Sequence, residues 1–164
     1  MTRAKADAAN PDHVAEFAKD SDVVIGATRP APGSEPDLVK NTLGLLAGTA
    51  RVGVRLVLVG GAATLKVPGG IVLDDLPEAL LPIANACAEQ HAVCRADSVA
   101  DWTYVSPPAL LEPGTRTGRY RLGADQLLVD ADGNSTISTA DFAVALLDEV
   151  ERPAHRRTRF TVGY

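Results

Sequence analysis

The sequence predicts an α/β protein built on a parallel sheet with flanking helices, and three observations carry that prediction. Residues 55–59 (RLVLV) form a branched apolar run without alternation, followed at once by Gly60-Gly61-Ala62; this pattern reads as a strand buried on both faces. Residues 22–25 (DVVI), ended by Gly26-Ala27, are a shorter relative of it. Between the two, Asp37 to Gly48 places Val39, Leu43 and Leu46 at i, i+4 and i+7, one buried stripe of a helix. Strand, helix and strand in this order make a βαβ unit, whose strands run parallel through a right-handed crossover.

The remaining elements follow in order. Asn10-Pro11 supplies a helix cap and a proline at the first helical position, so a short helix is predicted from Pro11 to about Lys19, with Val14 and Phe17 on one face. Pro30 to Pro36 is a turn-rich loop. Asp75-Leu76-Pro77-Glu78 has capping-box spacing, but Pro82 interrupts any helix begun there, so the main helix is expected from Pro82 to His91, ending before Cys94. Asp101 to Val105 (DWTYV) reads as a third strand, stopped by Ser106-Pro107-Pro108. Arg119–Leu122 and Gln126–Val129, joined by Gly123-Ala124, suggest a small hairpin or edge excursion. Ser138 caps a helix with Asp141 three residues on, and Phe142, Leu146 and Val150 form its stripe. Phe160, Val162 and Tyr164 alternate with Thr161 and Gly163, the pattern of a half-buried final strand.

Composition narrows the function classes. The 164 residues suit one domain, and 46% hydrophobic content is enough for a core. Sixteen Lys and Arg against 21 Asp and Glu give a formal net charge of −5, which disfavours nucleic acid as a partner. Two cysteines, Cys87 and Cys94, are too few for a disulfide framework. No apolar run approaches the roughly 20 residues that span a bilayer, and the opening MTRAKADAAN lacks a signal-peptide layout. A cytoplasmic protein without a membrane role is expected.

Open parallel sheets bind ligands at the carboxyl ends of their strands. Those ends are Gly26-Ala27-Thr28, Gly60-Gly61-Ala62 and Ser106-Pro107-Pro108, with Ala109 following. Small residues there let a flat ligand approach the backbone, although glycine after a strand is also ordinary turn chemistry.

At these residues a family resemblance enters. VVIGA, LVLVGGAATL, DWTYVSPPALLEPGTRTGRYRLG, DADGNSTISTADFAVALLDEVE and HRRTRFTVGY look like the atypical short-chain dehydrogenase/reductase group, its NAD(P)H-binding and NADH-flavin reductase members, similar to the biliverdin reductase B group. The match runs from about Asp7 onward and is most specific in the second half. It implies a Rossmann-like fold, NADP or NAD as cofactor, and FMN, FAD or a related flat acceptor as the reduced substrate. It also implies that Gly60, Gly61 and Ala62 line the nicotinamide side, that Ser106, Pro107, Pro108 and Ala109 flank it, and that Asp7-Ala8 matches the pair beside the adenine. Together with Gly26, Ala27, Thr28 and Thr64, these are the candidate cofactor-binding residues.

The departures from the family bear on activity. Its GxxGxxG turn, where helix N-terminal amides hold the pyrophosphate, has no counterpart, and Met1 falls where the family reaches its third strand. The expectation is therefore a single Rossmann-like domain, residues 1–164, N-terminally truncated by one βαβ unit. The family's first strand sits beside its fourth, so residues 22–25 should have an unpaired flank that invites association. Three readings follow: a start lying upstream, a truncated relic that forms a homodimer through the exposed edge or aggregates, or a partner that supplies the lost half. Cofactor binding is expected to be weak or absent. A non-catalytic interaction module is the alternative function.

No catalytic residue is assigned. Tyr104, Tyr120 and Tyr164 all lack the Lys of a Tyr-x-x-x-Lys pair, and Gly61 and Ala62 stand where a Ser is usual, with Thr64 the nearest hydroxyl. Flavin reduction tolerates this, because hydride passes between rings and water supplies the proton.

No metal is expected. Asp130 to Asp141 can be laid on an EF-hand loop, but Ser135 replaces the turn glycine, Asp141 replaces the bidentate Glu, and no helix enters. An Asp-Gly turn followed by a helix cap is preferred. Cys87, His91 and Cys94 lack a fourth ligand and read as buried thiols beside an exposed His. Arg152, His155, Arg156, Arg157 and Arg159 read as a solvated linker, with attraction of a cofactor phosphate the alternative.

Overall fold

The computed structural model describes residues 4–164. Its elements run α1 (Pro11–Ala18), β1 (Val23–Gly26), α2 (Pro36–Val52), β2 (Arg55–Val59), β3 (Lys66–Val67), β4 (Gly70–Ile71), two 3-10 turns (Val72–Asp75 and Glu78–Leu80), α3 (Leu81–Ala96), β5 (Trp102–Ser106), β6 (Leu110–Glu112), β7 (Arg121–Gly123), β8 (Thr136–Ser138), α4 (Thr139–Glu151) and β9 (Thr158–Gly163). The main sheet has the order β1-β2-β5-β9-β7. Its first four strands are parallel, and β7 joins β9 antiparallel. This is the mostly parallel, helix-flanked sheet of a Rossmann-like fold.

Strand alternation sends neighbouring residues to opposite faces, and each face carries its own core. Leu56, Leu58, Trp102 and Tyr104 pack with Val14, Leu45, Leu46 and Cys94 from α1, α2 and α3. Val57, Val105, Phe160 and Val162 pack with Ile137, Phe142, Ala145 and Leu146 at α4. The caps read from sequence form: the Asn10 side chain accepts from the amides of Asp12 and His13, and Ser138 Oγ accepts from Asp141 N at 3.0 Å. α1 sits close on α2 because Gly48 leaves room for Val14; a Cβ there would stand 2.5 Å from Val14 Cβ.

Several expectations need correction. Leu43 is 51% exposed, and Phe17 is 50% exposed; the buried face of α2 instead carries Leu38, Val39, Thr42, Leu45, Leu46 and Thr49. Thr42 and Thr49 are admitted to it because their hydroxyls donate to the carbonyls of Leu38 and Leu45. α3 continues past His91 to Ala96, with Pro82 harmless in its first turn, where no intrahelical N–H is needed. Asp75 closes a 3-10 turn rather than opening a capping box; it is Asp74 whose carboxylate accepts from Ile71 N. Of the expected hairpin only Arg121–Gly123 forms a strand, and it pairs with β9, while Gln126 bridges to Lys66. That pairing places β9 inside the sheet, and both of its faces are covered rather than one: Phe160 and Val162 pack at α4, and Arg159 on the opposite face is held by Thr64 and Asp125.

Burial on both faces makes two arginines structural. Arg55, opening β2, forms an ion pair with Glu149, both side chains under one-tenth exposed, and also donates to Thr103 Oγ1 at 2.8 Å. His155 Nδ1 lies 2.7 Å from the same Glu149 carboxylate. Arg159 lies within β9 and is held by Asp125. The linker reading of the basic cluster therefore fails for Arg159 and His155. Arg152 and Arg156 pair with Asp148 and Asp101. No helix among the described residues is long and apolar enough to cross a membrane.

β1 ends the sheet. Its outer flank has no partner among the described residues, and Ile25 is 43% exposed there.

Candidate functional site

The carboxyl ends of β1, β2 and β5 open into one cavity of about 480 Å³. A volume in this range accommodates small organic ligands. Its floor is the turn after β2, Gly60-Gly61-Ala62, with Val59 beneath. Ala27, Thr28 and Arg29 form one side, Pro107, Pro108 and Ala109 another, and Leu76, Leu80 and Ile83 roof it. The walls are largely apolar, with Arg29 the only lining cation among the described residues.

The turn is braced from behind. Tyr104 is fully buried at its end of β5, and its hydroxyl accepts from Gly61 N at 3.1 Å. The same hydroxyl lies 3.0 Å from Gln90 Oε1 and 3.2 Å from the Cys87 carbonyl, to which it can donate. Gln90 Nε2 donates to Thr42 Oγ1 at 3.1 Å, and Thr42 to the Leu38 carbonyl, so the brace runs from the turn through α3 into α2. Ser106 Oγ donates to the Gly61 carbonyl at 2.9 Å. Both polar groups of the Gly61 backbone are thus engaged by β5 side chains, which fixes the floor of the cavity.

Glycine is required here by packing. A Cβ on Gly60 would stand 1.9 Å from Tyr104 Cζ, and one on Gly61 would stand 2.8 Å from Cys87 Sγ. The turn is therefore small because Tyr104 and Cys87 press on it from the protein side, and the close approach this permits on the cavity side is a consequence.

No group positioned for proton transfer at neutral pH faces this cavity among the described residues. Burial pushes the Cys87 thiol up and, for Tyr104, raises the phenol far above its ordinary range. Tyr104 is a brace rather than an acid.

The structure brings Ala27, Thr28, Gly60, Gly61, Ala62, Pro107, Pro108 and Ala109 together around one cavity. Other candidates stand apart. Gly26 packs on Leu58 and Leu45 beneath the rim, and Ser106 serves the turn from below. Thr64 turns away: its hydroxyl accepts from Arg159 Nη1 at 2.6 Å and lines a different cavity. Asp7 and Ala8 lie over α2, where the Asp7 carboxylate accepts from Ala9 N and the Ala8 carbonyl closes on Gly44. Sequence reasoning missed Arg29, Cys87 and the roof residues Leu76, Leu80 and Ile83. Pro77 and Pro82 marked a break in that segment, but its fold over the sheet end is a tertiary outcome.

The metal readings resolve by geometry. His91, expected to be exposed, is instead buried and lines another cavity, Cys87 is only half-buried and lines this one, and Cys94 is buried in the core, so the three diverge although one helix carries them. Residues 130–134 close an Asp-Gly turn in which Asp130 Oδ1 accepts from the amides of Asp132 and Asn134. Asp141 faces inward and accepts from Thr117 N, Gly118 N and the hydroxyls of Thr117 and Tyr164, which hold its carboxyl down at about 2.

Comparison with known proteins bears on the fold and the family. A family model described as NAD(P)H-binding matches residues 1–153. The uncharacterized protein YwnB of Bacillus subtilis is 37% identical over 161 residues, 90% of this chain and 73% of its own length. A candidate epimerase from Bacteroides thetaiotaomicron is 41% identical with a TM-score of 0.89, over 98% of this chain and 75% of that one. A candidate NADH-flavin reductase from Streptococcus pneumoniae is 30% identical with a TM-score of 0.82, over 92% of this chain and 77% of that one.

Proposed function

This chain belongs to the NAD(P)H-binding family, and from that premise we propose that it is a reductase whose strand-end cavity brings a nicotinamide ring against a flat, flavin-like acceptor. The carrying observation is the cavity itself: a braced glycine floor, apolar walls and, among the described residues, no proton-transfer group facing it. A nicotinamide cofactor supplies hydride when bound. The protein's part is to hold two planar rings in contact and exclude water from between them.

Gly60, Gly61 and Ala62 would support the nicotinamide side, with Pro107, Pro108 and Ala109 flanking it. Arg29 would meet an anionic group at the rim. An acceptor such as FMN or FAD suits the site because its proton can come from water; a carbonyl acceptor would need an acid that the lining does not offer. Among the described residues no helix opens on a glycine-rich turn, so pyrophosphate anchoring is poor and weak NADPH affinity is expected. Two unpaired thiols suit a reducing, cytoplasmic setting.

The test is a fluorescence titration with NADPH and NADH, followed by flavin-dependent NADPH oxidation. Saturable though weak binding, with oxidation that depends on added FMN or FAD, supports the reading. Complete absence of both overturns it.

The flank of β1, unpaired among the described residues, favours a second reading, a non-catalytic module that forms a homodimer through that edge. A stable dimer without cofactor binding would select it, and substitution of Ile25 by Lys would then yield a monomer.

A further inference from the structure

A second cavity, of about 630 Å³, lies between α3 and the first residues of β9 and shares no lining residue with the strand-end cavity. We propose that it binds a small-molecule oxyanion, a phosphate or a carboxylate. Four cations line it, Lys66, Arg95, Arg157 and Arg159, against one carboxylate, Asp125, in a chain whose net charge is −5. Positive charge is therefore concentrated against the overall balance of the molecule.

The cations are held in different ways. Arg159 is the register partner of Tyr104, on the helix-covered face of the sheet, and its side chain is only 5% exposed. Asp125 and Thr64 Oγ1 orient its guanidinium. Asp125 also faces Lys66 at 4.0 Å, so one carboxylate serves two cations. Arg157 adopts φ 54°, a left-handed conformation unusual for a side-chain-bearing residue. Its backbone N–H donates to the Trp102 carbonyl at 2.6 Å, and its guanidinium donates to the carbonyls of Ala100 and Ser98. Carbonyl oxygens orient the guanidinium without neutralising it. Arg95, in the last turn of α3, has no carboxylate within 4.0 Å among the described residues.

Two guanidinium groups without anionic partners among the described residues, beside a buried third in one cleft, form a site that a planar or tetrahedral oxyanion complements through paired N–H donors. His91 adds a neutral imidazole to the wall, because burial and the fields of Arg159 and Arg95 hold it at about 4.

The experiment titrates inorganic phosphate and, separately, acetate into the protein at ionic strength matched with chloride, following backbone and indole resonances by NMR. The expected result is saturable shifts centred on Trp102, Arg95 and Arg159, with Arg95→Gln and Arg157→Gln each weakening the anion about tenfold or more. Saturation by phosphate alone or by acetate alone identifies the source of the oxyanion. Arg95 is exposed and, among the described residues, makes no hydrogen bond through its side chain, so Arg95→Gln decides the matter even if Arg157→Gln perturbs folding. Shifts no larger than chloride produces overturn the proposal. Binding that survives both substitutions overturns it as well, since the anion then sits elsewhere. NADPH titration of Arg95→Gln is expected to match the unsubstituted protein, which separates this site from the strand-end cavity.

Discussion

The hydroxyl of Tyr104 accepts the backbone N–H of Gly61 at 3.1 Å, across the end of the sheet where the strand-end cavity begins. Tyr104→Phe keeps the ring but leaves the Gly61 amide and Gln90 Oε1 without a partner, while Gln90 Nε2 still donates to Thr42. The expected loss is about 1–3 kcal/mol, the desolvation cost of such groups. Urea denaturation measures it, and NADPH affinity should fall in parallel because the floor loosens; unchanged affinity at reduced stability would show that the brace does not position the floor.

Gly60 and Tyr104 compete for the same volume. With its Cβ 1.9 Å from the Tyr104 ring, Gly60→Ala is expected to cost about 1–3 kcal/mol or more through overpacking. The cost should shrink when Tyr104 is replaced by Leu, so a double-mutant cycle on urea midpoints reads the coupling directly. Additive costs would refute the clash.

Breaking the buried pair of Arg55 and Glu149 should be far more harmful than replacing it. Glu149→Gln leaves the guanidinium and the Ala154 and His155 amides facing a neutral side chain. About 3–5 kcal/mol is expected from the uncompensated buried charge. The joint replacement Arg55→Met with Glu149→Leu should cost less than Glu149→Gln alone, as thermal unfolding of the three proteins will show.

His91 makes stability depend on pH with a definite sign. Its folded-state value of about 4 lies below the ordinary 6.5, chiefly through burial and then through Arg159 and Arg95. The unfolded chain therefore takes up this proton first as pH falls. The contribution is fully present above the ordinary value and declines between about pH 6.5 and about pH 4. His91→Phe retains the ring packed 4.8 Å from Tyr104 and removes the titration. Urea unfolding at about pH 7 and about pH 5 should show a smaller drop for the variant; equal drops would contradict the assignment.

Much of the fold was legible because its signals are local. Asn10-Pro11 and Ser138 cap helices by hydrogen bonds to amides two or three residues on, and RLVLV announces a strand covered on both faces. The strand-end triplets around Gly60 and Pro107 pointed to one cavity because a parallel sheet brings its carboxyl ends to one edge. Leu43 and Phe17 misled because apolar spacing alone does not say which side of a helix meets the sheet; Thr42 and Thr49 took the buried places by donating to their own helix. Thr64 misled because proximity in sequence to Gly60-Gly61 did not reveal the turn that hands its hydroxyl to Arg159.

The sequence by itself determined the βαβ order, the parallel sheet, the family and the glycines at the strand ends, since each depends on residue type and short-range spacing. Tertiary structure alone decided that Tyr104 would brace Gly61 and that Arg55 would be buried with Glu149. It also gathered Lys66, Arg95, Arg157 and Arg159 around one cleft. These contacts join residues separated by 43 positions in the case of Gly61 and Tyr104 and by 94 in the case of Arg55 and Glu149. Charges and hydroxyls that far apart in the chain carry no shared local pattern, and only closure of the sheet and packing of α3 and α4 on its faces bring them together.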